Sequence, residues 1–139
     1  MREKSCGTVT FTTADGGIKY LLVKTHYGIC GFAKGHVEDG ESERQTAMRE
    51  TWEETSVKPK ILNGFRKTME YRLSNGNVKT VVFFLGDFGT QQPCHNDGFE
   101  DMTYFVVPYE EAVRLLSFDN AREVLKSAHK FLKKKYQMQ

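Results

Sequence analysis

Three glutamates, Glu50, Glu53 and Glu54, are spaced so that they share one face of a helix. Like charges three or four residues apart on a helix repel each other by about 0.2–0.5 kcal/mol per pair, and a bound cation would turn that repulsion into attraction. Mg²⁺ takes oxygen ligands and is commonly shared between carboxylates and substrate phosphates. The spacing therefore predicts a divalent-metal site for a phosphorylated substrate. The alternative interpretation is an ordinary solvated face of a glutamate-rich helix.

The residues around these glutamates favour the metal site. The stretch from Gly35 to Val57, GHVEDGESERQTAMRETWEETSV, resembles the Nudix box, G-x5-E-x7-R-E-U-x-E-E-x-G-U, in which U is a bulky aliphatic residue. The residues at the required offsets are Gly35, Glu41, Arg49, Glu50, Glu53, Glu54 and Val57. Thr51 replaces the usual aliphatic residue, and we expect it to weaken the packing beneath the helix. Ser56 stands where glycine would allow the chain to leave the helix through a left-handed residue.

The resemblance to this family implies where the metal is held. Glu50 and Glu54 would bind it with Glu53 beside them, and the backbone carbonyl of Gly35 would be a further ligand. The expected cofactor is Mg²⁺, with Mn²⁺ as the alternative. A bound metal polarises a phosphoryl oxygen and lowers the pKa of a coordinated water, which suits hydrolysis of a phosphoric anhydride.

Arg49 lies on the flank of the same helix, where it can pair with Glu53 or with Glu41 and hold the carboxylates in place. The alternative is an ordinary surface ion pair, which would contribute only about 0–1 kcal/mol. Its position in the box favours the orienting role. Glu41 is expected to have a structural role in the same network.

The sequence offers two candidates for the general base: Glu54, and a second carboxylate outside the box, Glu100. A loop folded over the site would bring Glu100 in as a metal ligand or as the base. A solvated loop carboxylate is an equally good interpretation of its spacing, and Asp97 and Asp101 are competitors close by.

Outside the box the chain is similar to the asymmetrical diadenosine tetraphosphate hydrolases, a subgroup of the Nudix family. The likeness is carried by AKGHVEDGE, by GFRKTMEYRLSNGNVKTVVFFLG and by LLSFDNAREVLKSAHKFL. It implies a dinucleoside polyphosphate substrate, cleaved to ATP and AMP, and it places Glu100 where the subgroup has an extra glutamate. Two residues depart from the subgroup: Ala33 replaces a proline and Cys30 a tryptophan.

The same likeness implies a set of substrate-binding residues. Lys34 and His36 would contact phosphates, Tyr71 and Lys79 would reach the polyphosphate from a hairpin, and Phe118 would stack on an adenine. Tyr27 and Phe32 are further candidates for the second face of a base. Lysine supplies a compact positive charge, and stacking on a base is worth about 1–3 kcal/mol. From pattern alone, Phe118 is predicted to be a core residue and Tyr71 is as readily explained by packing.

Three other functions fit the motif less well. An RNA 5′-triphosphate pyrophosphohydrolase would bind through many Lys and Arg contacts, which the net charge of +2 does not favour. A diphosphoinositol polyphosphate hydrolase keeps the chemistry and changes the substrate. A non-catalytic nucleotide sensor is disfavoured because the box carboxylates are intact.

The elements that position these residues follow from the pattern. Apolar and β-branched runs predict strands, Asp15-Gly16-Gly17 and Asn75-Gly76 predict hairpin turns, and Ser42 with Gln45 predicts a capping box. The predicted strands are 5–13, 18–25, 61–73, 78–86 and 102–107, with a further short strand in the loop over 26–33. The predicted helices are Ser42–Ser56, Pro108–Leu116 and Asn120–Lys135. This order predicts a single α+β domain over residues 1–139, with a mixed sheet covered by helices. The resemblance implies an α/β/α sandwich.

The remaining composition limits the setting. The three cysteines, Cys6, Cys30 and Cys94, lack the paired spacing of a zinc finger and fit a reducing compartment, so we expect a cytoplasmic protein. A zinc site made of Cys94 and His95 with Cys30 and His36 is a weaker alternative. No apolar run suits a signal peptide or a membrane span, and neither nucleic acid nor a membrane is an expected partner. We expect a monomer.

Overall fold

The computed structural model describes residues 2–137, in which strands and helices form the predicted α+β domain with a mixed sheet. The strands are β1 Arg2–Thr12, β2 Lys19–Lys24, β3 Cys30–Gly31, β4 Lys34–His36, β5 Lys60–Ile61, β6 Lys67–Arg72, β7 Val78–Asp87 and β8 Thr103–Pro108. The helices are α1 Glu43–Thr55, α2 Tyr109–Leu115 and α3 Asp119–Lys135. Within the described residues, no helix is both long and apolar enough to cross a membrane.

The centre of the sheet is a parallel pair, β1 with β7, which runs in register from Arg2 opposite Val78 to Phe11 opposite Asp87. The other pairings among the described residues are antiparallel. On the edge of β1 away from β7, two strands pair with it: β4 with its first half and β2 with its last residues. This division places the three residues of β4 beside the middle of the sheet.

Alternating side chains of the central strands pack on opposite faces, as the two-residue period of a strand requires. On one face the core includes Val9, Phe11 and Phe83 together with buried residues of α2 and α3. On the other face, Val82 and Phe84 pack against Ala47 of α1. The α/β/α sandwich is therefore confirmed, with α1 alone covering one side.

Helix α3 confirms the periodicity argument. Its predicted apolar residues, Ala121, Val124, Leu125, Ala128 and Leu132, are all buried. Full burial of a leucine or valine side chain stabilises a fold by about 1.5–3 kcal/mol, so this stripe holds α3 on the sheet. Phe118 is the N-cap residue, immediately before the first helical residue Asp119, and so lies at the N-terminal end of α3 rather than on its buried face.

Three predicted boundaries are wrong. The strand predicted over 61–73 is two strands, β5 and β6, because Asn63-Gly64 forms a turn in which Gly64 has a positive φ of 93°. The short strand predicted within 26–33 is β3, but a second short strand, β4, follows it at Lys34–His36, where the charged and glycine residues carry no strand signal. Strand β1 begins at Arg2 instead of Ser5 because its pairing with β7 extends to that residue.

Thr51 is held beneath α1 by hydrogen bonds, and its expected weakening of the packing stays a prediction. It is fully buried, its hydroxyl donates to the Ala47 carbonyl at 2.7 Å, and its Oγ1 lies 2.8 Å from that of Thr8 on β1. Because the single proton of Thr51 goes to Ala47, the Thr8 hydroxyl donates to Thr51. Thr8 is in turn 2.8 Å from the hydroxyl of Thr10. A buried chain of threonine hydroxyls replaces the expected aliphatic contact.

Ser56 ends α1 in the left-handed conformation that glycine would favour, with φ 61° and ψ 15°. Its N–H donates to the Trp52 carbonyl at 2.7 Å, so the helix exit keeps its geometry without glycine. A non-glycine residue in this region is destabilised by about 1–2 kcal/mol.

Replacing Ser56 with glycine is expected to raise the free energy of unfolding. The strain removed is about 1–2 kcal/mol, and the extra freedom of glycine in the unfolded chain offsets about 0.5–1 kcal/mol of it. The net gain of roughly 0.5–1 kcal/mol is measurable by urea denaturation. A variant no more stable than the wild type would show that the conformation of Ser56 is unstrained.

The threonine chain predicts a non-additive pair of substitutions. Thr51→Val removes the acceptor of the buried Thr8 hydroxyl, which must turn to Thr10 at 2.8 Å, and is expected to lower stability by about 0.5–1.5 kcal/mol, the usual net contribution of one hydrogen bond. The double variant Thr8→Val with Thr51→Val removes both partners and is expected to recover part of that loss. Chemical denaturation of the single and double variants measures the coupling, and simply additive losses would contradict the pairing.

Candidate active site

The start of α1 is fixed by the predicted capping box, which is confirmed. The Ser42 hydroxyl accepts from the Gln45 N–H at 3.1 Å, and the Gln45 side chain accepts from the Ser42 N–H at 2.8 Å. These reciprocal bonds satisfy two otherwise unpaired donors of the first turn and set where the helix begins. Because the start of the helix is fixed, the box carboxylates two and three turns later project from α1 in fixed directions.

Arg49 pairs with both of the carboxylates predicted for it and with a third. Its guanidinium binds Glu41 through two hydrogen bonds, of 2.7 and 3.1 Å. It also donates to Glu50 at 2.9 Å and to Glu53 at 3.0 Å, and to the backbone carbonyl of His36 at 3.0 Å. A planar guanidinium is well suited to hold several carboxylates at fixed angles. Arg49 thus joins α1 to β4 and to the loop between them.

These contacts change the ionisation of the partners. The hydrogen bond from Arg49, with those from the Glu38 backbone and Thr46, lowers the pKa of Glu41 to about 2. The same pairing raises the pKa of Arg49. Both groups are therefore charged throughout the physiological range. The structural role predicted for Glu41 has its physical basis in this pair.

Glu54 is the buried carboxylate of the site, with only 6% of its surface exposed. One of its oxygens accepts from the backbone N–H of Lys34 at 3.1 Å. Burial first, and then the negative charge of Glu50, raise the pKa of Glu54 to about 8. Two carboxylates that share a poorly solvated place cannot both ionise without a compensating charge.

Gly35 is required where α1 approaches β4. A Cβ on this residue would lie 2.0 Å from the carboxyl carbon of Glu50 and 2.2 Å from one of its oxygens. Only glycine leaves room for that carboxylate beside the strand backbone. Along β4, Lys34 and His36 alternate with Gly35 and so project from the opposite face of the strand.

The donor set at Glu50 and Glu54 fits a divalent cation. A buried carboxylate that retains a proton because of its charged neighbour is stabilised when a cation replaces the proton. Within residues 2–137, no three His, Cys, Asp or Glu side chains already converge as a metal-binding group. The carboxylates of Glu50 and Glu53 face Arg49 instead. Among these described residues, the side chains of the alternative zinc site likewise do not converge as a set of ligands.

Glu100 lies on the exposed loop that precedes β8, and its carboxylate accepts from the Gly98 N–H of the same loop at 2.8 Å. Its competitors Asp97 and Asp101 are also exposed. The loop itself lies against the last turn of α1, since the side chain of Asn96 donates to the Trp52 carbonyl at 2.7 Å. The role of Glu100 remains a prediction.

A cavity of about 670 Å³ brings together three of the predicted substrate-binding residues, Lys34, Tyr71 and Phe118. Phe118 is 55% exposed, so its assignment to the core is wrong. Tyr71 is half-buried on β6. Phe32, a further sequence candidate, also lines this cavity. The sequence did not reveal Ile29, Gly31, Met69, Phe83 and Asn120, which complete much of the lining. Met69 on β6 and Phe83 on β7 lie on the same face of the sheet as Tyr71. The two-residue alternation of these strands could have predicted them as lining residues.

Positive charge gathers at the edge of this cavity. The Lys79 Nζ lies 3.2 Å from Nε2 of His36 and donates a hydrogen bond to it in the tautomer that leaves Nε2 unprotonated. Burial, and then the charge of Lys79, lower the pKa of Lys34, while Glu54 and Glu50 oppose that shift. An anionic group bound between these lysines would relieve their mutual repulsion.

Tyr27 is not part of the cavity lining. It is 87% exposed, and its ring lies 5.4 Å from that of His26. Both rings line a separate surface groove with Lys24 and Asp101. The structure thus separates Tyr27 from Tyr71 and Phe118, and its proposed contact with a base has no geometric support in this arrangement.

The ionisation of Glu54 predicts how stability of the metal-free protein depends on pH. The folded pKa of about 8 exceeds the ordinary value of 4.5, so the folded state holds more protons than the unfolded state between these values. Stability therefore decreases as pH rises through this window. Glu54→Gln removes the titrating group and is expected to flatten the decrease. Thermal unfolding of both proteins in EDTA from pH 5 to pH 8 measures the difference, and parallel curves would contradict the assignment.

Comparison with known proteins identifies the family of this chain. The family profile of the NUDIX domain matches residues 1–128. A pig protein named bis(5′-nucleosyl)-tetraphosphatase [asymmetrical] is 32% identical over 143 residues, covering 95% of this chain and 97% of the relative. A rat protein of the same name is 29% identical with the same coverage.

Solved structures support the same relationship. The crystal structure of a C. elegans Ap4A hydrolase binary complex superposes with a TM-score of 0.85 at 26% identity, covering 94% of this chain and 97% of that one. The NUDIX domain of Shewanella oneidensis NrtR, solved with ADP ribose, superposes with a TM-score of 0.77 at 22% identity over 95% of this chain and 89% of that one, and shows the fold alone. By its sequence and its fold, the chain belongs to the NUDIX domain family, among its hydrolases.

Proposed function

We propose that this protein hydrolyses diadenosine tetraphosphate asymmetrically to ATP and AMP, using Mg²⁺ bound at α1. The observation that carries the proposal is the position of Lys34. Its side chain lines the cavity that holds Tyr71 and Phe118, and its backbone N–H binds the buried carboxylate of Glu54. A nucleotide bound in the cavity would have its phosphates near the box carboxylates. The names of the pig and C. elegans relatives support this substrate.

The metal would be held by Glu50 and Glu54 and by the Gly35 carbonyl. Mg²⁺ held there would polarise a phosphoryl oxygen and lower the pKa of a coordinated water. Arg49 keeps Glu50 and Glu53 in position through the contacts described above. Mn²⁺ takes similar oxygen ligands and is the alternative ion.

The reaction adds water to a phosphorus of the tetraphosphate and breaks the bond to its bridging oxygen. Glu54 or Glu100 would accept the proton of the attacking water, and the released ATP carries away the bridging oxygen. Lys34, His36 and Lys79 would neutralise the phosphate chain from the other face of β4 and from the hairpin. Phe118, exposed at the cavity mouth, would stack on the adenine. With one adenosine fixed in the cavity, the phosphorus that reacts lies near that end, so cleavage is asymmetric.

The direct test is hydrolysis of diadenosine tetraphosphate in the presence of Mg²⁺, with the products resolved by chromatography. Equal amounts of ATP and AMP are expected, and turnover should cease with EDTA. Formation of two ADP molecules, or no turnover, would contradict the proposal. Bound nucleotide without product at high enzyme concentration would instead support a non-catalytic sensor.

Glu54→Gln is expected to lower kcat by about 10²–10⁴-fold, the range for loss of a general base, with a much smaller effect on folding. Glu123→Gln on α3 is the matched control because Glu123 is an exposed glutamate on the opposite side of the sheet from α1. Steady-state kinetics with both variants measure the difference. Near-native activity of Glu54→Gln would show that this carboxylate has no part in the reaction.

Phe118→Ala is expected to raise KM for the dinucleotide by about tenfold, because stacking on a base is worth about 1–3 kcal/mol and 1.4 kcal/mol is a factor of ten. Phe118→Tyr keeps an aromatic face and should retain the wild-type KM. Because Phe118 is exposed, unfolding measurements should show little loss of stability. An unchanged KM for Phe118→Ala would place the adenine elsewhere.

A further inference from the structure

The last turn of α1 carries two of the box carboxylates, and its carbonyls after Trp52 lack the partners that a continuing helix would supply. Asn96, on the loop between β7 and β8, supplies the donor missing at Glu53 and adds a second donor at Trp52, whose carbonyl already accepts from the Ser56 N–H. Its side-chain NH₂ donates to the Trp52 carbonyl at 2.7 Å and to the Glu53 carbonyl at 3.1 Å. One amide group thus bridges the carbonyls of two successive residues.

The next two carbonyls also have partners from outside the helix. The Tyr104 hydroxyl donates to the Glu54 carbonyl, and the Cys94 N–H donates to the Thr55 carbonyl at 2.9 Å. We call Cys94, Asn96 and Tyr104 the helix clamp. Every carbonyl from Trp52 to Thr55 therefore accepts a hydrogen bond from the clamp.

The clamp is itself braced. Nε2 of His95 donates to the Met102 carbonyl at 2.7 Å, in the tautomer that carries a proton there. The rings of His95 and Tyr104 lie 5.1 Å apart. These contacts close the loop between the first and last residues of the clamp, and the closed segment carries Glu100.

We propose that Asn96 and Tyr104 are positioning residues for the metal site, and that they hold the last turn of α1 so that Glu53 and Glu54 keep the direction needed to bind the ion. The inference rests on the metal site of the proposed function. Groups that fix the ligands of a metal affect its affinity almost as much as the ligands do. The same contacts attach the loop that carries Glu100 to the helix that carries the other carboxylates.

An electrostatic effect acts in the same direction. The C-terminal end of a helix has a partial negative charge, which disfavours carboxylates placed there. Glu53 and Glu54 lie at that end of α1, whose last turn contains no basic residue. The amide and hydroxyl donors of the clamp place positive ends of dipoles on the exposed carbonyls and reduce this unfavourable field.

Two nearly isosteric variants test the proposal without changing the packing. Asn96→Asp replaces the donor by an acceptor, and Tyr104→Phe removes the hydroxyl. Each is expected to raise the Kd for Mg²⁺ by about 10-fold or more, the effect typical of groups that orient metal ligands. Calorimetric titration without nucleotide measures this Kd. Amide hydrogen exchange at residues 53–58 should become faster in both variants, whereas KM for the dinucleotide should stay within about twofold because the cavity is untouched.

Gln91→Ala is the matched control. Gln91 lies on the same loop, accepts from the Lys58 N–H at 2.8 Å and donates to the Lys58 carbonyl at 2.9 Å. It therefore ties the loop to the chain just beyond the helix without contacting the carbonyls of α1. Its loss is expected to lower stability slightly and to leave the Kd for Mg²⁺ unchanged.

The outcomes separate the two proposals. Unchanged Mg²⁺ affinity in both Asn96→Asp and Tyr104→Phe, or an equal loss in Gln91→Ala, would overturn the positioning role while leaving the enzymatic proposal intact. Weakened Mg²⁺ binding in the two variants, with no ATP and AMP formed by the wild type, would overturn the proposed substrate and support the clamp. A wild-type protein that binds no Mg²⁺ would overturn both.

Discussion

The site depends on a conflict between burial and charge at Glu54. Its carboxylate is almost inaccessible to solvent and lies next to Glu50, and it accepts a hydrogen bond from Lys34. In water neither carboxylate would hold a proton at neutral pH. At this buried position the two carboxylates are stabilised either by a proton retained between them or by a bound cation. A bound cation replaces their mutual repulsion with attraction to a shared positive charge.

The surrounding structure maintains that conflict. Gly35 lets the Glu50 carboxylate approach the strand, because any side chain at this residue would collide with it. Arg49 prevents the carboxylates from turning to solvent by donating to Glu50, Glu53 and Glu41 together. The helix is fixed at its beginning by the capping box and at its end by the loop before β8. Both ends of α1 are thus constrained around its ionisable face.

Much of this arrangement could be predicted from the sequence because it is local. The offsets of the box, the capping box and the apolar stripe of α3 all depend on residues a few positions apart. What could not be predicted depends on distant pairs. Thr8 meets Thr51 only once β1 lies beneath α1, and Asn96 reaches Trp52 only through the fold of a loop. Phe118 looks like a core residue by its type, and only the position of the cavity explains its exposure.

The central claim is that Glu50, Glu54 and the Gly35 carbonyl form one cation site. Anomalous X-ray scattering from crystals of the protein soaked in Mn²⁺ would locate the ion directly. The account predicts a peak within about 2.0–2.3 Å of both carboxylates and of the carbonyl oxygen, the range for small divalent ions with oxygen ligands. A peak elsewhere on the protein, or none at α1 while other sites are filled, would contradict it.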